Sequence, residues 1–223
     1  MFFTNLGLAG ILYYFMIFAF SISFHESSHA YMAYRLGDNT GKDLGRVTLN
    51  PMKHLDLFGT VLLFFAGIGW AKPVPFNPSR FENRKFGTMM VSFAGPLSNI
   101  ILAFIFAFIY LFIGYGFGVE PNFESTEPMV IASNFSSVGI MLNVLLAVFN
   151  LLPIPPLDGS KVFTVFLPEQ YYFKFMQYQN ITFIVLILLL ATGILWDNIL
   201  YPARDYMISF IYFILEPIVR LIT

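Results

Sequence analysis

Ser23-Phe24-His25-Glu26-Ser27-Ser28-His29 sets two imidazoles four residues apart, with a carboxylate beside the first, inside an otherwise apolar run. On a helix, residues four apart stand one turn above each other on one face, so both rings can offer a nitrogen to one zinc ion. Glu26 lies off that line and is free to act as a base. With three His and seven Glu in the chain, chance placement yields this pattern about once in a thousand such sequences. Ionisable groups at a bilayer centre cost about 2.5–3.5 kcal/mol each, so they persist there for function. A catalytic zinc takes three protein ligands and keeps one position open, so a third ligand is needed. Met32 and Arg35 stand where an extended metzincin motif requires Gly and His, leaving His54, Glu82 and Asp158 as distant candidates. Asp158 has the best setting: it follows Asn150-Leu151-Leu152-Pro153-Ile154-Pro155-Pro156-Leu157, where prolines break a membrane helix. Irregular backbone at that depth must be buried in protein or line a wet cavity.

The elements that carry these residues are membrane helices. Only 11% of the 223 residues are charged, 57% are hydrophobic, and mean hydropathy is +0.72, whereas soluble domains carry roughly 25% charged residues. A net charge of −1 offers no basic field for a nucleic-acid backbone, and the absence of cysteine excludes disulfides, thiolate zinc sites and a Cys nucleophile. The reading is an all-α polytopic membrane protein of five to six transmembrane helices with a short re-entrant or β-hairpin element. Apolar spans run from about residues 6 to 36, 87 to 117, 129 to 152, 181 to 200 and 206 to 222, with a borderline stretch at 57 to 70. The first span closes at Gly37-Asp38-Asn39-Thr40-Gly41, which is helix-stopping chemistry, and it lacks the basic leader of a cleaved signal peptide. Residues 1–223 read as one membrane-embedded domain, with a catalytic core over about 6–160 and two additional helices over about 181–222.

Orientation follows from Lys and Arg, which favour the cytoplasmic side. Eight of the twelve, Arg35, Lys42, Arg46, Lys53, Lys72, Arg80, Arg84 and Lys85, fall between the first and third apolar segments, and a re-entrant stretch at 57–70 keeps them on one side. Alternating crossings then put Lys161, Lys174 and Arg220 inside too, with Arg204, Glu120, Glu124 and Glu127 outside. His25 and Asp158 both approach the inner face.

Together these residues resemble the site-2 protease family of zinc intramembrane metalloproteases. The resemblance covers residues 20–160. It rests on His25 to His29, on Asn150 to Gly159, on Gly95-Pro96-Leu97-Ser98-Asn99, on the L-N-P-x-x-H-x-D stretch from Leu49 to Asp56, and on Gly69-Trp70-Ala71-Lys72-Pro73-Val74. It implies that His25, His29 and Asp158 ligate one Zn2+ and that Glu26 is the general base. It further implies that Asn150 positions substrate or stabilises the oxyanion, and that Asn99 supports the site. His54 reads either as a polar loop residue near the headgroups or as a proton relay or transient fourth ligand. Unlike many relatives, the sequence shows no helix before the H-E-x-x-H segment and no PDZ module.

The expected activity is hydrolysis of peptide bonds in or near transmembrane segments. Expected partners are single-pass proteins or signal-peptide remnants within a lipid bilayer, and the expected location is a prokaryotic plasma membrane with the site toward the cytoplasm. The element around residues 67–78 either pairs with an unwound substrate by strand addition or is an ordinary turn. A catalytically silent scaffold and a membrane metal transporter are the alternative functions, which Glu26→Gln would separate from a protease.

Overall fold

The computed structural model describes residues 7–66, 69–168 and 177–223. Its helices are α1 (Gly7–Arg35), α2 (Thr40–Asp43), α3 (Leu57–Ala66), α4 (Arg84–Phe117), α5 (Pro128–Asn150), α6 (Asp158–Thr164), α7 (Gln179–Ala191) and α8 (Tyr201–Ile222). Local chemistry sets the boundaries. α1 stops where Gly37 takes a φ of +98°, and α4 ends at Gly118, whose φ of +65° lets its N–H reach the Gly114 carbonyl. Asparagine begins three elements: Asn50 Oδ1 accepts from Met52 N, Asn77 Oδ1 from Ser79 N and Asn83 Oδ1 from Phe86 N. The first two precede a proline, the residue best suited to the first turn.

Three helices make the body. α1 and α5 share a core of Tyr14, Ile17, Phe18, Ile22, Val138 and Leu142. α4 and α5 close on each other where the Phe106 ring lies against Gly139, which leaves no room for a Cβ. Such small-residue contacts draw membrane helices together where apolar side chains alone give no preference over lipid. α8 joins this second core through Ile211, and α7 caps α5 through Leu186 and Leu190.

The helical fold class holds, and the described residues supply two to three candidate spans against the five to six expected. Among the described residues, α4 and α5 are each long and apolar enough to cross a membrane, and α7 with the segment from Trp196 onward makes a third crossing if counted as one broken span. No strand forms among the described residues. In place of a hairpin, α3 is followed by an irregular segment, residues 69–77, tied to the preceding loop by one antiparallel bridge between Leu55 and Ala71. Residues 67 and 68, part of the expected glycine-rich turn, and Lys174 lie outside the described residues.

Arg220 also stands elsewhere than expected. α8 runs alongside α4 in the same direction: Tyr212 stacks on Tyr110, Arg220 donates to the Tyr115 hydroxyl, and Gly116 faces Thr223. Arg220 therefore lies at the end of α4 from which the segment of Glu120, Glu124 and Glu127 departs, not at the opposite face. The alternating count treats α7 and α8 as a crossing and a return. A return needs a near reversal, whereas the break at residues 192–195, with Gly193 at φ +78°, turns the axis by 83°.

Candidate metal centre

His25 and His29 project from the C-terminal half of α1 toward Gly95 of α4, and the closeness of that approach depends on glycine. A Cβ at position 95 would collide with His29 Nε2 and lie 2.7 Å from His25 Cε1. Pro96 follows, so the Ser92 carbonyl loses its usual helical donor. The third side chain arrives from α6. Beyond Asn150 the chain turns so tightly that Gly159 packs against the Leu151 and Leu152 carbonyls, again without space for a Cβ. This fold-back delivers Asp158, the first residue of α6, onto the α1 histidines.

The three ligand atoms form a small triangle. His25 Nε2 and His29 Nε2 are 3.0 Å apart, and Asp158 Oδ2 is 3.2 Å from each. Their proton states follow from the far side of each ring. His29 Nδ1 donates to the Val91 carbonyl at 2.7 Å; a carbonyl can only accept, so Nδ1 carries a proton, and in the neutral ring Nε2 presents a lone pair. His25 Nδ1 donates to Asn99 Oδ1 at 2.6 Å, with the same consequence. In the neutral rings the two Nε2 atoms would offer their lone pairs beside a carboxylate oxygen, an arrangement that suits a cation. A tetrahedral zinc with bonds of about 2.0 Å keeps its ligand atoms about 3.3 Å apart, close to the observed edges. The residues present therefore fit the ion. Both histidines are buried, and the Asp158 side chain is 15% exposed.

Glu26 points toward a different element. It is 8% exposed, and its Oε2 accepts the Val74 amide at 3.1 Å. Val74 lies in residues 69–77, a strap across the site pinned at both ends. At one end the Lys72 amide donates to the His54 carbonyl at 2.7 Å, and Arg46 Nη2 donates to the Lys72 carbonyl. At the other, the Asn77 amide and Arg80 both donate to Asp38, at 2.6 and 3.1 Å. Asp38 also accepts from the Thr40 amide and hydroxyl. Burial alone would raise its pKa, but these donors and the Arg80 charge hold it below the usual carboxylate value.

Asn99 is fully buried and touches His25. Asn150 is not drawn into the triangle: its amide nitrogen donates to the Leu146 carbonyl of its own helix at 2.9 Å. His54 is fully buried within its loop. The loop needs it inside, because its Nε2 donates to the Thr48 carbonyl while its own carbonyl receives Lys72. Burial lowers its pKa. It is not one of the clustered metal-ligating groups, and Glu82 is exposed. Sequence reasoning missed Asn143, whose side chain bonds Asn99 and Ser21 in the buried interior. Its one signal was an amide in an apolar helix seven residues before Asn150.

The family model described as Peptidase family M50 matches residues 13–192, a range that includes all three side chains of the triangle, Glu26 and the strap. The chain belongs to this family, the site-2 proteases. Curated relatives agree. The chain is 41% identical over 202 residues to "Putative zinc metalloprotease YwhC" of Bacillus subtilis, covering 89% of this chain and 90% of that protein. It is 33% identical over 144 residues to "Putative zinc metalloprotease Rip2" of Mycolicibacterium smegmatis, covering 62% of this chain and 51% of that one. No solved structure matches. Membership of M50, with the fit of the triangle, makes zinc the cofactor and the protein a membrane metalloprotease.

Proposed function

We propose that this M50 protein is an intramembrane endopeptidase, with His25, His29 and Asp158 holding the zinc and Glu26 acting as general base. The observation that carries the reading is the convergence of two Nε2 atoms and one carboxylate oxygen within 3.2 Å, beside a buried glutamate. Zinc, when bound, polarises the scissile carbonyl and acidifies the attacking water. Glu26 takes the proton of that water and hands it to the departing amide nitrogen, and the Val74 N–H on Oε2 directs Oε1 toward the reaction. Asn99 keeps His25 oriented, and the strap shields the carboxylate from lipid.

Single-pass membrane proteins or signal-peptide remnants are the proposed substrates. Their helical amides are already paired and must unwind locally before hydrolysis. The strap favours a one-sided form of strand addition. Pro73 and Pro75 have no N–H, and the amides of Lys72, Val74 and Asn77 are engaged within the protein. Along residues 72–77 the strap thus offers mainly carbonyls, to which an unwound substrate donates. We assign the eight basic residues between α1 and α4 to the cytoplasmic side of a prokaryotic plasma membrane. With α1, α4, α5 and the bent α7–α8 pair crossing and α3 re-entering, the proposed span count is four.

Zinc analysis of the purified protein, beside cleavage of a single-pass model substrate, tests the reading. Wild type and Glu26→Gln should both carry zinc, with cleavage reduced about 10²–10⁴-fold in the variant. Absence of zinc from both would refute it.

A further inference from the structure

The two metal-facing histidines have their protons placed by different means. His29 is set directly by a backbone carbonyl, which cannot change role. His25 is set by an amide side chain, Asn99, which could present oxygen or nitrogen to the ring. Something must make it present oxygen. Asn143 Nδ2 lies 2.9 Å from the Gly139 carbonyl of its own helix and 2.9 Å from Ser21 Oγ. The carbonyl only accepts, so the nitrogen of Asn143 must face it and Oδ1 must face away. That oxygen sits 2.9 Å from Asn99 Nδ2, which also points at the Ser21 carbonyl 3.4 Å away. With acceptors on that side, the nitrogen of Asn99 is held there, and its oxygen is turned to His25 Nδ1.

We infer that Asn143, acting through Asn99, is a positioning residue that fixes the proton of His25 on Nδ1 and so keeps Nε2 open toward the metal. The chain of choices starts at the Gly139 carbonyl on α5, crosses α4, and ends at α1. Asn99 and Asn143 are both fully buried, leaving no solvent to substitute for a missing partner. Without Asn143, Asn99 can turn over and present N–H to His25. The ring proton then moves to Nε2, into the space between His29 and Asp158. His29 has no such dependence, and that asymmetry makes the inference testable.

This inference rests on the zinc reading of the triangle, and the two are tested separately. Histidine-labelled, metal-free protein in detergent micelles, at a pH alkaline enough to keep the rings neutral, is read by nitrogen-15 NMR for the tautomer of each ring. Zinc affinity is measured by competition with a chromogenic chelator. Wild type should show the proton on Nδ1 of both rings. Asn143→Leu should shift His25 toward the other tautomer, leave His29 unchanged, and weaken zinc binding about 10–100-fold, the usual effect of losing a ligand's supporting partner. Asn99→Leu should weaken binding at least as much, and the double variant no more than Asn99→Leu alone, because the two act in series. Ser21→Ala, a milder change, should weaken binding in the same direction. Unchanged tautomers, both rings changing together, or additive losses would each overturn the inference. Failure of wild type to bind zinc would instead overturn the metal site, while the NMR experiment would still decide the tautomer question.

Discussion

The amino-terminal and carboxyl-terminal parts of this chain are held together by different kinds of contact. In the bundle of α1, α4 and α5, buried apolar residues are interleaved with buried polar ones, among them Ser21, His25, Asn99 and Asn143, each hydrogen-bonded across helices. In the segment from α7 to α8 the buried residues are Leu186, Leu190, Leu195, Leu200, Ile211 and Val219, all apolar. Apolar contacts tolerate rotation and sliding, whereas a buried amide has one satisfactory partner set. The polar part specifies atomic positions; the apolar part specifies proximity.

The comparison is broken most severely by disturbing the close approach in the polar half. Gly95→Ala places a methyl group against both imidazoles, and the expected outcome is loss of bound zinc and of cleavage, read by metal analysis and substrate gels. Leu195→Ala, in the apolar half, should lower stability by about 2–5 kcal/mol through a cavity yet leave zinc affinity at the wild-type value, as thermal unfolding and chelator competition would report. If Leu195→Ala released zinc as Gly95→Ala does, the distinction between the halves would fail.

A smaller effect is expected at the strap. Asp38→Asn removes the charge facing Arg80 and weakens acceptance from two backbone amides and a hydroxyl, at a cost of about 1–3 kcal/mol. The folded-state pKa of Asp38 is depressed below its ordinary 3.8. Its contribution is therefore complete above that pH and is lost as pH falls through the folded-state value. Limited proteolysis of the strap should accordingly increase on acidification below about pH 4 in wild type, and Asp38→Asn should show the increase already at neutral pH. The smallest effect is expected at the exposed Arg220. Arg220→Ala should leave the unfolding temperature unchanged, while cysteines introduced at positions 122 and 220 should react with an impermeant reagent from the same side of a sealed vesicle.

Much of the polar half was legible in the sequence. The spacing of His25, Glu26 and His29 encodes one helical face, and the prolines before Asp158 mark where the chain can fold back. Gly37 sets a helix end that can be read from the local sequence, whereas the Asn83 cap of α4 came from the structure. Asn143 was not legible, because a lone amide in an apolar helix acquires meaning only from what faces it. The Val74 amide that holds Glu26 belongs to the backbone and has no letter in the sequence. Asn150 lies in a recognisable motif, but its bond to Leu146 depends on a rotamer. The direction of α8 was misread for a related reason: hydropathy records that two runs are apolar, not whether the joint between them reverses the chain or bends it by 83°.

The fold-back that brings Asp158 to the histidines joins residues 133 positions apart in the chain. During synthesis, α1 emerges long before its carboxylate partner has been translated. Over that interval the imidazoles have no third ligand, so a nascent or truncated chain should be hydrolytically inert while its neighbours are still inserting. Activity would then begin only when the α5–α6 turn closes, making completion of the body the event that arms the protein.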